Sequence, residues 1–230
     1  MTQVAILQLL QLADSAFPIG AQAHSYGLET LAAQEQLAPE GLGAYLADYL
    51  VEIGVQEASF CRRGFRLAAL ADDAALGEQW LQLNQQISAL RTAREGRDAS
   101  AALGRRFLTL AGALTGPSRV QTIAQTARQT SADSHYAAAF GLAAGTLGLD
   151  EDAATLALLQ QSAAGLLAAA QKLLPVGQSW VMQLLWQLKP TLIAAAEQSR
   201  AREGLPRTCA VMADLAQMRH ANLPVRLFIS

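Results

Sequence analysis

Alanine and leucine, interleaved with glutamine and arginine, run along almost the whole chain. Nowhere do β-branched residues form the alternating run of a half-exposed strand. The pattern predicts helices throughout. Residues 4–12, 26–36, 39–71, 76–92, 99–114, 120–130, 135–147, 152–172, 176–200 and 206–218 read as helical, the third breaking near Gly54 or Gly64. Phe17-Pro18, Ala38-Pro39, Gly116-Pro117, Leu174-Pro175 and Leu205-Pro206 punctuate the series, because proline has no N–H to give the helix ladder. Asp150 or Glu151 places negative charge at a helix start, where the helix dipole favours it. No linker rich in Pro, Gly or Ser and no fixed-period repeat divides the chain. Residues 1–230 are therefore expected to form a single all-α globular domain of about ten helices. Gly141, Gly145 and Gly148 bring small residues to one side of the helix after His135. That marks close helix–helix contact, either inside the core or across a dimer seam.

Composition sharpens this picture. Hydrophobic residues are 52% of the chain and charged ones 16%, which argues against disorder and leaves little polar surface for a monomer. The net charge of −2 conceals an asymmetry. Residues 1–61 hold seven acids and no Lys or Arg, whereas residues 62–128 hold ten arginines against five acids. The two regions either complement each other within the molecule or serve different partners. An acidic overall balance without basic runs interleaved with aromatics excludes nucleic acid as the natural partner. Nineteen uncharged residues between Asp152 and Lys172 approach the length of a membrane span, but Gln160, Gln161 and Ser162 in their middle favour a buried helix. The start of the chain has an apolar stretch with no positive residue before it, which disfavours a signal peptide. Together these point to a cytoplasmic protein.

Candidate chemistry is sparse. No phosphate-cradling G-x-x-x-x-G-K-[ST] or G-x-G-x-x-G occurs, so no cofactor is expected in this chain. His24, His135 and His220 are about a hundred residues apart, without the H-x-x-x-H or E-x-x-H spacing that puts two metal ligands on one helix face. Cys61 and Cys209 read as ordinary thiols of a reducing compartment. A small helical enzyme using His24, Glu29 and His135 is the alternative to a binding protein. Arg91 and Arg94 share a helix side at three-residue spacing, and Arg97 extends it if the helix continues through Gly96. That side is either a solvated face or a cationic patch for a partner's carboxylates.

The most unusual stretch is the last one, RHANLPVRLFIS, in which Arg226 stands beside Leu227, Phe228 and Ile229 with no acid after Asp214. Pro224 prevents helical continuation through Leu223, so residues 223–230 leave the last helix as a loop. Leu227 and Phe228 are expected to bury too little area to order that loop without a partner. Residues 219–230 are thus read as a partner-binding tail.

The segment LLQLADSAFPIGAQAHSYGLETL resembles the opening of the UreF urease accessory proteins through Leu12, Asp14, Phe17, Pro18, Ile19, Gly20, His24, Ser25, Gly27, Leu28 and Glu29. RTAREGRDASAALGRRFL, SHYAAAFGLAAGTLG and LLPVGQSWVMQLL continue the resemblance in register. So does the tail, through His220, Leu223, Arg226, Leu227, Phe228 and Ser230. The resemblance implies an all-helical, non-catalytic chaperone that forms a homodimer and acts in nickel insertion into urease. By the same resemblance it binds UreD/UreH, recruits the GTPase UreG and delivers the assembly to apo-urease. Nickel and GTP would belong to that complex, not to this chain. Pro18, Gly20, Gln22, His24, Glu29, His220, Arg226, Leu227, Phe228 and Ser230 become the expected partner-binding residues. Two positions depart from the family pattern: Gln22 stands where an aromatic is common, and Ala221 replaces the acid that usually follows the tail histidine. Arg226 is also the candidate finger if the chain accelerates GTP hydrolysis directly.

Overall fold

The structure, a computed structural model, describes residues 2–116, 118–201 and 210–230. Among them every regular element is helical. The α-helices are α1 (Gln3–Leu12), α2 (Leu28–Ala33), α3 (Leu42–Tyr49), α4 (Val55–Leu67), α5 (Asp73–Leu90), α6 (Arg94–Thr115), α7 (Arg119–Thr130), α8 (Tyr136–Thr146), α9 (Glu151–Leu173), α10 (Gln178–Gln187), α11 (Lys189–Ala201) and α12 (Val211–His220). Short polar side chains start several of them. Thr2, Asp72 and Asp150 each accept a hydrogen bond from the amide three residues on, satisfying one of the free N–H groups of the first turn.

Several boundaries differ from the sequence reading, three of them for a plain local reason. The predicted helix 39–71 becomes a 3-10 turn, α3, a π-turn at Leu50–Gly54 and α4, so the break falls at Gly54. The predicted helix 176–200 splits into α10 and α11 at Lys189-Pro190, where proline removes an N–H and crowds the preceding turn. Helix α2 begins two residues late because Tyr26 and Gly27 are left-handed, with φ 50 and 95. The predicted helix 206–218 starts outside the described residues, as does Cys209, and its described part runs from Val211 to His220.

Two apolar clusters make up the core. The first gathers α1, α4, α5, α6, α7 and α8 around Phe60, Trp80, Phe107 and Phe140. The second gathers α2, α3, α10, α11 and the later turns of α9 around leucines. Helix α8 is buried on every side from Ala137 to Ala144, as expected of a helix apolar all round. Its glycines settle the question left open by the sequence. A Cβ at Gly141 would collide with the Cys61 carbonyl of α4, and one at Gly145 would lie 2.5 Å from the Phe65 carbonyl. Gly64 meets Ala138 in the same way from the other side. Gly141 and Gly145 therefore belong to the α4–α8 contact inside the core and not to a surface seam, whereas Gly148 lies beyond the helix in an exposed left-handed turn with φ 65. Cys61 is enclosed there, and burial pushes its thiol up to about 12, so it is inert as a nucleophile.

Helix α9 is long and apolar enough to cross a membrane, yet half of its apolar window is buried inside the fold. Its first turn is clasped by Arg62, which is 3% exposed. Arg62 binds Glu151 and Asp152 through Nη1, Ser199 through Nε and the Ala196 carbonyl through Nη2, tying α4, α9 and α11 together. Every arm of the fork is used, which is how a guanidinium is tolerated in a core.

Candidate functional site

Between α1 and α2 the chain runs through a series of turns. Asp14 opens them by accepting the Ala16 amide, and Phe17 then packs on Phe107 at 5.4 Å between ring centroids. Ile19 is buried, and its carbonyl accepts Nη1 of Arg106 at 3.0 Å. Gly20 has φ 84, a left-handed conformation that calls for glycine, and a Cβ there would lie 2.7 Å from that same nitrogen and displace the end of the Arg106 side chain. Pro18, Gly20 and Gln22 face solvent. Beyond them His24, Ser25 and Glu29 turn inward and are buried.

These three meet the C-terminal segment. After α12 the chain reverses, with Leu223 N donating to the His220 carbonyl, and returns alongside residues 23–29. The Ile229 amide donates to the Ala23 carbonyl at 2.8 Å, and the Ser25 amide and hydroxyl both donate to the Ser230 carbonyl. His24 Nδ1 lies 2.8 Å from Ser230 Oγ. Burial, then the Arg106 charge, lowers the His24 pKa, so the ring is held neutral. Glu29 is the hub. One of its oxygens accepts the Leu227 amide at 2.5 Å, and the other accepts the Phe228 amide at 3.2 Å and faces His220 Nε2 at 2.8 Å. His220 Nδ1 faces Glu95 at 2.6 Å, and Glu95 also receives Arg226 Nη1 at 3.4 Å. Both carboxylates can accept from the ring only when it carries both hydrogens.

The tail is therefore ordered on its own domain, a correction to the expectation that it needs a partner. Apolar area was the wrong quantity to weigh. Of the tail's apolar side chains Phe228 alone is buried, in the second core cluster beneath the Lys172 ammonium, whereas Leu227 is 69% exposed. Order comes from the backbone hydrogen bonds that a buried carboxylate collects. Of the expected site residues, His24, Glu29, His220, Arg226, Phe228 and Ser230 converge here, with the Leu227 amide but not its side chain. Ser25 and Glu95 complete the cluster and were missed. Each stood within a quoted motif, but nothing marked it as a contact.

Two other expectations fail on geometry. Arg91, Arg94 and Arg97 do not share a helix side, because α5 ends at Leu90 and α6 starts at Arg94. Arg91 instead binds Glu57, Arg97 caps the Arg91 carbonyl, and Arg94 pairs with Asp98 in solvent. Nor does His135 join His24 and Glu29. Its amide donates to Asn84, and its ring lies between Ser100 and Ser88, whose hydroxyl donates to Asp133. Burial first, then Arg91, Arg105 and Arg97, push His135 down to about 2.

Fold and site together define an all-helical domain closed by its own last residues, with its buried polar centre spent on that closure. The sequence model of the UreF family matches residues 37–189, and the chain belongs to that family. It is 32% identical to the urease accessory protein UreF of Geobacillus kaustophilus, with all of both chains covered. It is 33% identical to that of Thermosynechococcus vestitus, again over the full length of each. Both segments of the closure lie outside residues 37–189 but inside those full-length matches.

Proposed function

We propose that this chain is a non-enzymatic, cytoplasmic chaperone of urease metallocentre assembly. It scaffolds UreD/UreH and the GTPase UreG on apo-urease, while nickel and GTP are held by other members of the complex. The observation that carries the reading is the docked tail. Residues 225–229 are fixed by Glu29 with Val225, Leu227 and Ile229 outward, so three apolar side chains stand on backbone that is already ordered. A preordered apolar strip binds a partner without the entropy cost of freezing a loop. Arg226 spends one nitrogen on Glu95, leaving most of its fork uncommitted among the described residues and available to a partner's carboxylate or carbonyl.

Further apolar surface supports self-association into a homodimer. Val4, Leu7 and Leu10 are exposed on α1, and Met182 and Trp186 on α10, the last at 72%. Such patches mark interaction sites more often than free surface.

Co-expression with UreD/UreH and UreG tests the scheme. Arg226→Ala should leave the fold and UreD/UreH binding intact while weakening UreG recruitment and urease activation about tenfold, the worth of one charge-assisted hydrogen bond. Lysine should restore only part, since it keeps the charge without the fork. Unchanged UreG recruitment after deletion of residues 223–230 would end the proposal.

A further inference from the structure

A cavity of about 80 Å³ lies between the turn before α2, the π-turn, and helices α4, α6, α8 and α9. Its walls are mostly apolar, with Leu50, Leu103 and Leu159 among them. Its polar lining includes His24, whose Nδ1 faces Ser230, together with Tyr26, Tyr49, Glu57 and Arg91. A second, more polar cavity touches Tyr26, Tyr49 and Arg91 from the other side, so these three separate two spaces.

The polar groups are mismatched in a particular direction. No hydrogen-bond partner for the Tyr26 or Tyr49 hydroxyl occurs among the described residues. Burial pushes Tyr26 up to about 12 and Tyr49 well above the usual phenol range, so both remain O–H donors. Arg91 gives Nη2 to Glu57 but keeps a buried Nε–H without an acceptor. The Arg97 guanidinium caps the Arg91 carbonyl and lines neither cavity, so the ion pair in the wall is Arg91 with Glu57. The surplus is in donors. Other polar groups nearby are already committed: the Tyr136 hydroxyl donates to Gln161, and Ser100 faces His135.

Backbone strain points to the same place. Tyr26 is a non-glycine residue at φ 50, a conformation that persists only where surrounding contacts enforce it. They do so here. Ser25 is pinned to Ser230 on one side, and Gly27 is pressed against α12 on the other, where a Cβ would lie 3.0 Å from that of Ala216. The strained turn delivers the Tyr26 side chain to the wall between the two cavities.

We propose that this cavity binds a small trigonal oxyanion of the carboxylate or bicarbonate class. A metal cation is disfavoured because Arg91 already occupies Glu57, and a purely apolar ligand would leave the donors unsatisfied. The volume suits roughly three or four heavy atoms, given about 30 Å³ of liquid per water molecule. Tyr26, Tyr49 and Arg91 donate to the anion, and the second oxygen of Glu57 accepts from its O–H where it has one. Since the Tyr26 turn is held by the docked tail, occupancy and tail docking favour each other.

The test titrates formate, acetate and bicarbonate into the full-length protein against chloride at matched ionic strength, reading calorimetry and the shift in thermal midpoint. Saturable binding is expected, weakened about tenfold or more by Tyr26→Phe and by Tyr49→Phe, since each removes one hydrogen bond to a charged acceptor. Removing a hydroxyl that has no partner leaves the fold at least as stable, so a loss of binding is not a loss of folding. The tighter of formate and bicarbonate identifies the source of the oxyanion. Binding indifferent to both substitutions overturns the assignment, because the anion then sits elsewhere. Equally, no response beyond that of chloride means that the cavity holds water alone.

Discussion

Glu29→Ala should release the C-terminal segment while leaving the helical core folded. The Glu29 carboxylate accepts from Leu227 N, Phe228 N and His220. Hydrogen bonds to a charged group contribute about 1.5–3 kcal/mol each, so the middle of that range gives about 4–5 kcal/mol for the two made by the tail amides, His220 being part of α12. Burial of Phe228 adds about 2–3 kcal/mol. The bonds from Ile229 N, Ser25 N and Ser25 Oγ add about 1 kcal/mol apiece. Against these gains, ordering residues 223–230 costs about 8 kcal/mol at the low end of the backbone range. Docking is then favourable by about 2 kcal/mol, and loss of Glu29 turns it unfavourable by a similar amount. Amide hydrogen exchange at Leu227, Phe228 and Ile229 reads this directly, with a protected core amide as internal control. Protection at those three positions should collapse in Glu29→Ala and fall part-way in Glu29→Gln, whose amide offers one acceptor oxygen and opposes a donor with another. Wild-type protection of the tail amides in Glu29→Ala would refute the reasoning, since apolar packing would then be sufficient to hold the tail.

Two further outcomes follow from the core. Gly145→Leu should destabilise the fold by about 3 kcal/mol in urea titrations, because α4 and α8 must separate to admit it. A well-folded variant with altered subunit association would return this face to a dimer seam. Acid should weaken the protein through His135, whose folded value of about 2 lies below the usual 6.5. Its contribution is fully present above pH 6.5 and is lost progressively as pH falls toward 2, by about 2 kcal/mol between pH 7 and pH 5. His135→Asn should remove that share of the pH dependence, and identical acid sensitivity of variant and wild type would contradict the assignment.

The sequence was most legible where local rules decide the outcome. Helix α9 could be read almost to its ends, because Asp150 caps it and the uncharged stretch leaves only burial as a fate. The Gly54 break was legible too. Arg91 was not. Residues 91–93 carry neither proline nor glycine, and arginine and alanine are good helix formers, so nothing local ends the helix at Leu90. The interruption is tertiary: Arg91 leaves the helix to meet Glu57, thirty-four positions away in sequence, and Arg97 reaches back to cap the carbonyl this exposes. Propensity summed along the chain cannot anticipate an ion pair of that separation. The α10–α11 break, by contrast, stood in plain view at Pro190 and needed only the proline rule.

The tail shows why a motif can name residues without giving their arrangement. His220, Arg226, Phe228 and Ser230 were singled out by resemblance, as were His24 and Glu29 at the other end of the chain. Their pairing spans about two hundred residues, and no periodicity carries information over that distance. Apolar side chains dominate the segment after Pro224, so the letters alone suggest a hydrophobic anchor. Yet Val225, Leu227 and Ile229 face out and Phe228 faces in, a division set by which amides Glu29 can reach. A buried carboxylate that accepts backbone amides fixes register as well as position. Shifting the segment by one residue would turn Phe228 to solvent and an outward residue into the core. Glu29 therefore decides which side chains this surface presents, although its own side chain is not part of that surface.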